Sequence, residues 1–319
     1  MELMRKMEHV PVLLQESVEI LLGGRRVAAG AAVIVDATFG GGGHTRRLLE
    51  CGHDKVVVVA IDRDPAAIAR SDSLQHDFGE RFKLLPGNFS DLEQLLDQAE
   101  IGKIDGLLLD IGLSSFQLEE GARGFSFQSD GPLDMRMDPD TGEPAAAIIR
   151  EADCDTLTRI FRDFGEEPYA GVIARKIVAA RVQKPFLTTH SLAQLIADMV
   201  PDYKRSRRHP ATKVFQALRI VVNDELGALE KVLKAGLKRL SQGGRMVVIS
   251  YHSLEDRLVK RFFRESAKGC ICPPGIPVCG CGRISRVKII NRSGLRPQRV
   301  EIERNPRSRS ACLRAIERL

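Results

Sequence analysis

The first 110 residues alternate between short unbroken apolar runs and stretches with helical periodicity. Runs at 33–35 (V-I-V), 56–61 (V-V-V-V-A-I) and 104–109 (I-D-G-L-L-L) have the length of strands buried on both faces. A weaker candidate lies at 81–85, and an amphipathic helix at 17–22 follows the apolar stretch that opens at His9. Strand and helix in alternation predict a parallel sheet with helices packed on it.

Beyond residue 115 the alternation stops. Turn-rich segments, G-F-S-F at 124–127 and D-G-P-L-D-M-R-M-D at 130–138, precede helical patterns at 145–151, 156–163, 168–181 and 191–199. The basic run K-R-S-R-R-H at 204–209 closes this region and is a candidate phosphate contact. One long amphipathic helix is then expected after Pro210, with Val214, Leu218, Leu229, Leu233 and Leu240 on one face and Gly243-Gly244 at its end. A fifth strand is expected at 245–250, and the last two at 285–290 and 311–317. The pattern divides the chain into 1–115, a helical insertion at 116–208 after the fourth strand, and 209–319, where the α/β pattern resumes.

Acids and glycines mark the strand ends. Asp36 closes the first run, and Gly40 to Gly43 lead from it into T-R-R-L-L. In an open α/β sheet, ligands bind at such a turn, where glycine admits close backbone approach and positive φ. Asp62 ends the second run, where a carboxylate accepts hydrogen bonds from a ribose. Phe89, after the third strand, either packs on a base or belongs to the core. Asp110 ends the fourth run before I-G-L-S-S, whose Ser114 or Ser115 also suits a helix cap. A dinucleotide loop would need a third glycine where Thr45 stands, and no Gly-Lys-Ser/Thr phosphate loop follows. A nucleoside ligand without a pyrophosphate fits better. S-adenosylmethionine (SAM) is the common one, which favours a methyltransferase over a nicotinamide-dependent oxidoreductase.

Charge changes the picture of the partner. The chain of 319 residues carries a net +6, yet 256–319 holds sixteen Lys or Arg against five Asp or Glu, leaving the rest acidic (32 basic, 37 acidic). A basic tail on an acidic body points to a polyanion, most simply a nucleic acid. Three Tyr and no Trp leave little for base stacking on aromatics. No apolar run reaches membrane-spanning length, and the N-terminus has no signal-peptide core. Seven cysteines without a secretion signal read as cytosolic thiols or metal ligands, so a cytoplasmic protein is expected. Cys270, Cys272, Cys279 and Cys281 form C-x-C-x6-C-x-C, a candidate structural zinc site. His252, at the end of the fifth strand, reads as a structural histidine.

With these elements in place the chain resembles the bacterial small-subunit ribosomal RNA methyltransferase H family, also called MraW. The likeness spans 9–319 and rests on long motifs: G-G-H at 42–44, A-I-D-R-D at 60–64, the two turn-rich segments above, H-P-A-T at 209–212, F-Q-A-L-R-I at 215–220, Y-H-S-L-E-D-R at 251–257 and N-P-R-S-R-S at 305–310. The resemblance implies a Rossmann-like, class I SAM-dependent fold. The implied reaction is methylation of the exocyclic N4 of a cytidine in the decoding region of 16S rRNA. The implied partner is that RNA or the small ribosomal subunit, and self-association stays open. By the same resemblance Gly42, Gly43, His44, Asp62, Phe89, Asp110 and Gln117 match cofactor-binding positions. Asp110 is also the catalytic candidate, as an acceptor for charge or a proton at N4. Related amino-methyltransferases carry Asn/Asp-Pro-Pro-Tyr/Phe there; Gly112 and Ser114 stand in its place here, so an aromatic clamp is missing. The cysteine quartet departs from the family's pattern, so the chemistry is not expected to depend on it. A non-catalytic RNA-binding protein is the remaining alternative.

Overall fold

The computed structural model describes residues 11–24, 27, 30–112, 120–199, 209–272 and 280–319. His9, Ser114, Ser115, Gln117, the basic run at 204–208 and Cys279 lie outside them. The chain forms two compact units, Met1–Gly112 with Ala228–Leu319, and Leu113–Gly227.

In the first unit, helix α1 (Leu14–Leu22) leads to β1 (Ala32–Asp36), α2 (Gly43–Cys51) and β2 (Val56–Asp62). Short helices α3 (Pro65–Ala69) and α4 (Asp72–Phe78) precede β3 (Phe82–Pro86), and α5 (Leu92–Gln98) precedes β4 (Ile104–Asp110). All four strands fall within two residues of the predicted runs. The sheet has seven strands in the order β3-β2-β1-β4-β5-β7-β6, where β5 is Leu240–Ser250, β6 is Val287–Ile289 and β7 is Cys312–Arg318. β1 to β5 run parallel, whereas β7 lies antiparallel between β5 and β6. This is the Rossmann-like α/β sheet expected from the sequence.

Successive residues of each strand serve opposite layers. Ile34, Val58, Leu108 and Val247 pack with Leu48 of α2 and Leu21 of α1. Val35, Val59, Leu107 and Val248 pack with Leu92 and Leu96 of α5 and with Leu229 and Leu233. Burial on both faces explains why these strands read as unbroken apolar runs. β1 has β2 on one side and β4 on the other. Chain order reverses there, so the carboxyl ends of β1 and β4 flank the crevice where open α/β sheets bind ligands.

The second unit is helical among its described residues: α6 (Ala145–Glu151), α7 (Cys154–Asp163), α8 (Ala170–Arg181), α9 (Thr189–Met199) and α10 (Ala211–Asn223). Its core joins Leu157, Phe161, Ile173, Ile177, Leu192 and Ile196 to Val214 and Leu218 of α10. The unit therefore runs to Gly227, past the boundary at 208 that the sequence suggested. The long helix expected after Pro210 is also two helices, α10 and α11 (Glu225–Arg239), broken at Asp224, which takes φ +47. Helical periodicity continues across the break, and only the Asn-Asp pair at 223–224 hints at the left-handed residue. β5 starts at Leu240 instead of 245; a shifted register between Ile104 and Gly106 accommodates Gly243, at φ +79.

The D-G-P-L-D-M-R-M-D loop is tied down within this unit. Asp134 binds Arg136 through two bonds of 2.9 and 2.8 Å, and Asn223 accepts from Met137 N–H and donates to the Met135 carbonyl, both at 2.8 Å. A Cβ on Gly131 would lie 1.9 Å from the Gly121 carbonyl oxygen, so glycine is required there. Phe127 packs on His209 and Phe215, with ring centroids 4.6 and 4.9 Å away. The G-F-S-F motif thus meets the neighbouring H-P-A-T and F-Q-A-L-R-I motifs, more than 80 positions later, at one aromatic cluster.

Candidate active site

Three carboxylates end three adjacent strands: Asp62 on β2, Asp36 on β1 and Asp110 on β4. Each is pushed above the usual carboxyl range, chiefly by burial. Buried carboxylates are costly unless hydrogen bonds compensate, and each of these has its own set.

Asp36 is almost fully enclosed. It accepts from the Thr45 hydroxyl at 2.7 Å and from the Thr38 N–H at 3.2 Å. Thr45, where a dinucleotide loop would carry glycine, thus holds the β1 acid from the first turn of α2. Asp62 is clasped by the glycine loop itself. Its Oδ2 accepts from Gly40 N–H at 2.7 Å and its Oδ1 from Asp64 N–H at 2.9 Å. One lone pair on each oxygen is left for a further donor.

The glycines have packing reasons beyond ligand approach. Gly42 takes φ +75, and a Cβ there would lie 2.9 Å from the Phe39 ring and from Leu74. A Cβ on Gly43 would lie 2.2 Å from Pro11. The loop is held tight against the chain that enters the fold.

Asp110 has the richest surroundings. Its backbone N–H donates to the Thr38 hydroxyl at 2.7 Å, and its Oδ1 accepts from the Tyr251 hydroxyl at 2.8 Å. Oδ2 lies 3.7 Å from His44 Nδ1, too far for a hydrogen bond but close enough for charge to matter. The buried His44 ring is oriented by the Val12 carbonyl, 3.2 Å from Nε2, which requires the proton on that nitrogen. His44 and the Tyr251 bond both oppose the upward push of burial on Asp110. Burial and the neighbouring Asp110 charge hold the Tyr251 phenol well above its ordinary value, so it stays a donor.

Tyr251 is the residue that the sequence did not single out. It follows β5, 141 positions from Asp110, and its own N–H donates to Glu255 at 2.8 Å. Gly112 makes room for its ring: a Cβ there would lie 3.0 Å from two ring carbons. An aromatic residue just past a strand that neighbours the acid-bearing strand was the available signal. His252 is the residue that precedes α12 (Ser253–Ala267), and its Nε2 lies 3.0 Å from the buried Glu255 carboxylate. Phe89 is half-buried against the layer that contains Ile61 and Leu92.

Asp62, Asp36, His44 and Asp110 are thus brought to one edge, with Phe89 on the turn that follows β3. Its side chains are acidic and rich in hydrogen-bond acceptors. Such an edge suits a hydroxyl-bearing, cationic ligand and repels a pyrophosphate. A nucleoside sulfonium fits; a nicotinamide dinucleotide does not.

The ribosomal RNA small subunit methyltransferase H of Syntrophotalea carbinolica is 50% identical over 98% of this chain and 98% of its own. Its namesake from Thermomicrobium roseum is 51% identical over 98% of this chain and 94% of its own. Among solved structures, a putative methyltransferase from Streptococcus mutans in complex with SAH aligns over 97% of this chain and 99% of its own, at 11% identity and a TM-score of 0.45. The profile of the MraW methylase family matches residues 6–319, and the chain belongs to that family.

Proposed function

We propose that this protein is a SAM-dependent methyltransferase of small-subunit ribosomal RNA, and that it methylates the exocyclic N4 of a cytidine in the decoding region. The observation that carries the proposal is the acidic edge at the switch point, with Asp62 clasped by the glycine loop and Asp110 held by Tyr251. SAM, when bound, supplies an electrophilic methyl group on a positively charged sulfur.

Asp62 binds the ribose hydroxyls with its remaining lone pairs, and Phe89 packs beside the base. Gly42, Gly43 and His44 line the loop; Gln117 is assigned to the site by family resemblance. Cytosine N4 attacks poorly, because its lone pair is delocalised into the ring. Holding N4 in line with the methyl group contributes most of the rate, through proximity and orientation. As N4 bonds to carbon it gains positive charge, and the Asp110 carboxylate stabilises that charge or accepts the proton. Tyr251 fixes the carboxylate's orientation and holds it ionised. The cytidine must leave its stack to reach this edge.

The second unit, with its rigid 130–138 loop and aromatic cluster, is proposed to read the RNA, helped by the basic region at 256–319. The substrate is 16S rRNA or the assembled small subunit, which places the enzyme in the cytoplasm. Among the described residues no helix is long and apolar enough to cross a membrane.

Transfer of labelled methyl from SAM to naked 16S rRNA and to small subunits, run in parallel, tests the reading. Incorporation into either RNA is expected. RNA binding without incorporation would leave a non-catalytic binding protein, and NADH binding would restore the oxidoreductase.

A further inference from the structure

Among its described residues, the loop between α12 and β6 buries no apolar side chain of its own. No helix or strand is formed among its described residues, and Ile271 and Ile284 are 56% and 79% exposed. Among the described residues one backbone bond closes its neck, from Arg286 N–H to the Ser266 carbonyl at 3.0 Å. A small loop without a core needs another constraint to hold one conformation.

Inside it three thiols converge. The ligand atoms of Cys270, Cys272 and Cys281 all lie within 4.8 Å of one another. Cys281 Sγ is 3.7 Å from Cys270 Sγ. A disulfide would need about 2.05 Å, and it would join only two of the three. In a tetrahedral zinc–thiolate site, a Zn–S bond of about 2.3 Å sets neighbouring sulfurs about 3.8 Å apart, which the Cys270–Cys281 spacing matches. The Cys272 N–H donates to Cys270 Sγ at 3.4 Å. Gly282 takes φ +58, so the chain turns sharply just after Cys281.

We infer that Cys270, Cys272 and Cys281 bind a structural zinc ion. Cys279, the other cysteine of the sequence pattern, lies outside the described residues. Each coordinating thiol releases its proton to solvent, so the three thiolates and the zinc ion together carry a net charge of −1. Of the flanking cations, Lys268 and Arg283 pair with Glu265. The metal replaces the missing core and pins the entry into β6.

Its place in the sheet separates it from the candidate active site. Val287 and Lys288 of β6 pair with Arg318 and Glu317 of β7, and Glu317 pairs with Arg245 of β5. The cysteine loop thus enters near the amino end of the parallel sheet, level with Arg245 and Gly106, whereas Asp110 and Tyr251 lie at the carboxyl end, about 16 Å further along the strands.

Elemental analysis of the full chain, purified without a polyhistidine tag, tests the inference. About one zinc per chain is expected, and C270S, C272S and C281S should each drop it below about a tenth while keeping the wild-type circular dichroism spectrum. Cobalt substituted into the wild-type protein should show the bands of tetrahedral thiolate coordination, a readout that needs no variant to fold. Less than about a tenth of a metal per chain with all thiols reactive in the native protein would overturn the site. So would iron in place of zinc, or a Cys270–Cys281 disulfide found by mass spectrometry.

Discussion

At the carboxyl end of the sheet, buried acids are held by hydroxyls and backbone N–H groups from several elements. Asp110 alone draws on Thr38 after β1, His44 in α2 and Tyr251 after β5. At the amino end, three exposed or half-exposed thiols lie within twelve residues of one another and are bounded by one backbone bond. The first arrangement is long-range and expensive, since burial raises the acids' affinity for protons; the second is local. On the proposed function, the first poises charge for chemistry; on the proposed zinc site, the second needs only a cross-link. Damage at the carboxyl end should therefore change rate or ligand affinity without unfolding the sheet. Damage at the amino end should change stability and spare the rate.

The largest effect is expected at Asp110. Asp110→Asn should lower the single-turnover rate at saturating SAM and RNA by on the order of 10²–10³, as when one preorganised electrostatic group is removed. A wild-type rate under those conditions would reduce Asp110 to a cofactor ligand. Next comes Asp62→Ala. Losing a charge-assisted bond of about 1.5–3 kcal/mol should weaken SAM binding roughly tenfold to a hundredfold. Calorimetry giving an unchanged affinity would remove the ribose assignment.

Tyr251→Phe should cost about tenfold in rate, and its signature is in the pH profile. Burial raises the Asp110 carboxyl, while the Tyr251 bond lowers it. The charged form is the active one, so the rate should fall as pH drops through that raised value. Without the phenol the carboxyl rises further, and the acid limb should move to higher pH. Superimposable profiles for variant and wild type would show that Tyr251 does not act through Asp110. The smallest effect belongs to the amino end: chelation should change methyl transfer by less than about twofold while lowering the melting temperature. Activity abolished by chelator and restored by zinc would collapse the contrast between the two ends.

Much of this was legible in the sequence. β1, β2 and β4 are buried on both faces, so their apolar runs marked them to within a residue or two. The acids at their ends were visible for the same reason, because Asp36, Asp62 and Asp110 interrupt those runs. What the sequence hid depends on contacts across the fold. Tyr251 meets Asp110 only because β5 lies beside β4, and no local pattern carries that pairing. Thr45 looked like a missing glycine and proved to be the hydroxyl that holds Asp36. The break at Asp224 was concealed because the apolar stripe runs through it, Val214 and Leu218 packing in one unit and Leu229 and Leu233 in the other.

The central claim is the chemistry at N4. Small-subunit RNA from cells lacking the gene, treated with the purified protein and SAM and digested to nucleosides, provides the direct measurement by mass spectrometry. N4-methylcytidine that appears with the wild-type protein and is lost with Asp110→Asn is the predicted result. A methyl group on cytosine C5, on a ribose or on another base, or no methylated nucleoside at all, would contradict it.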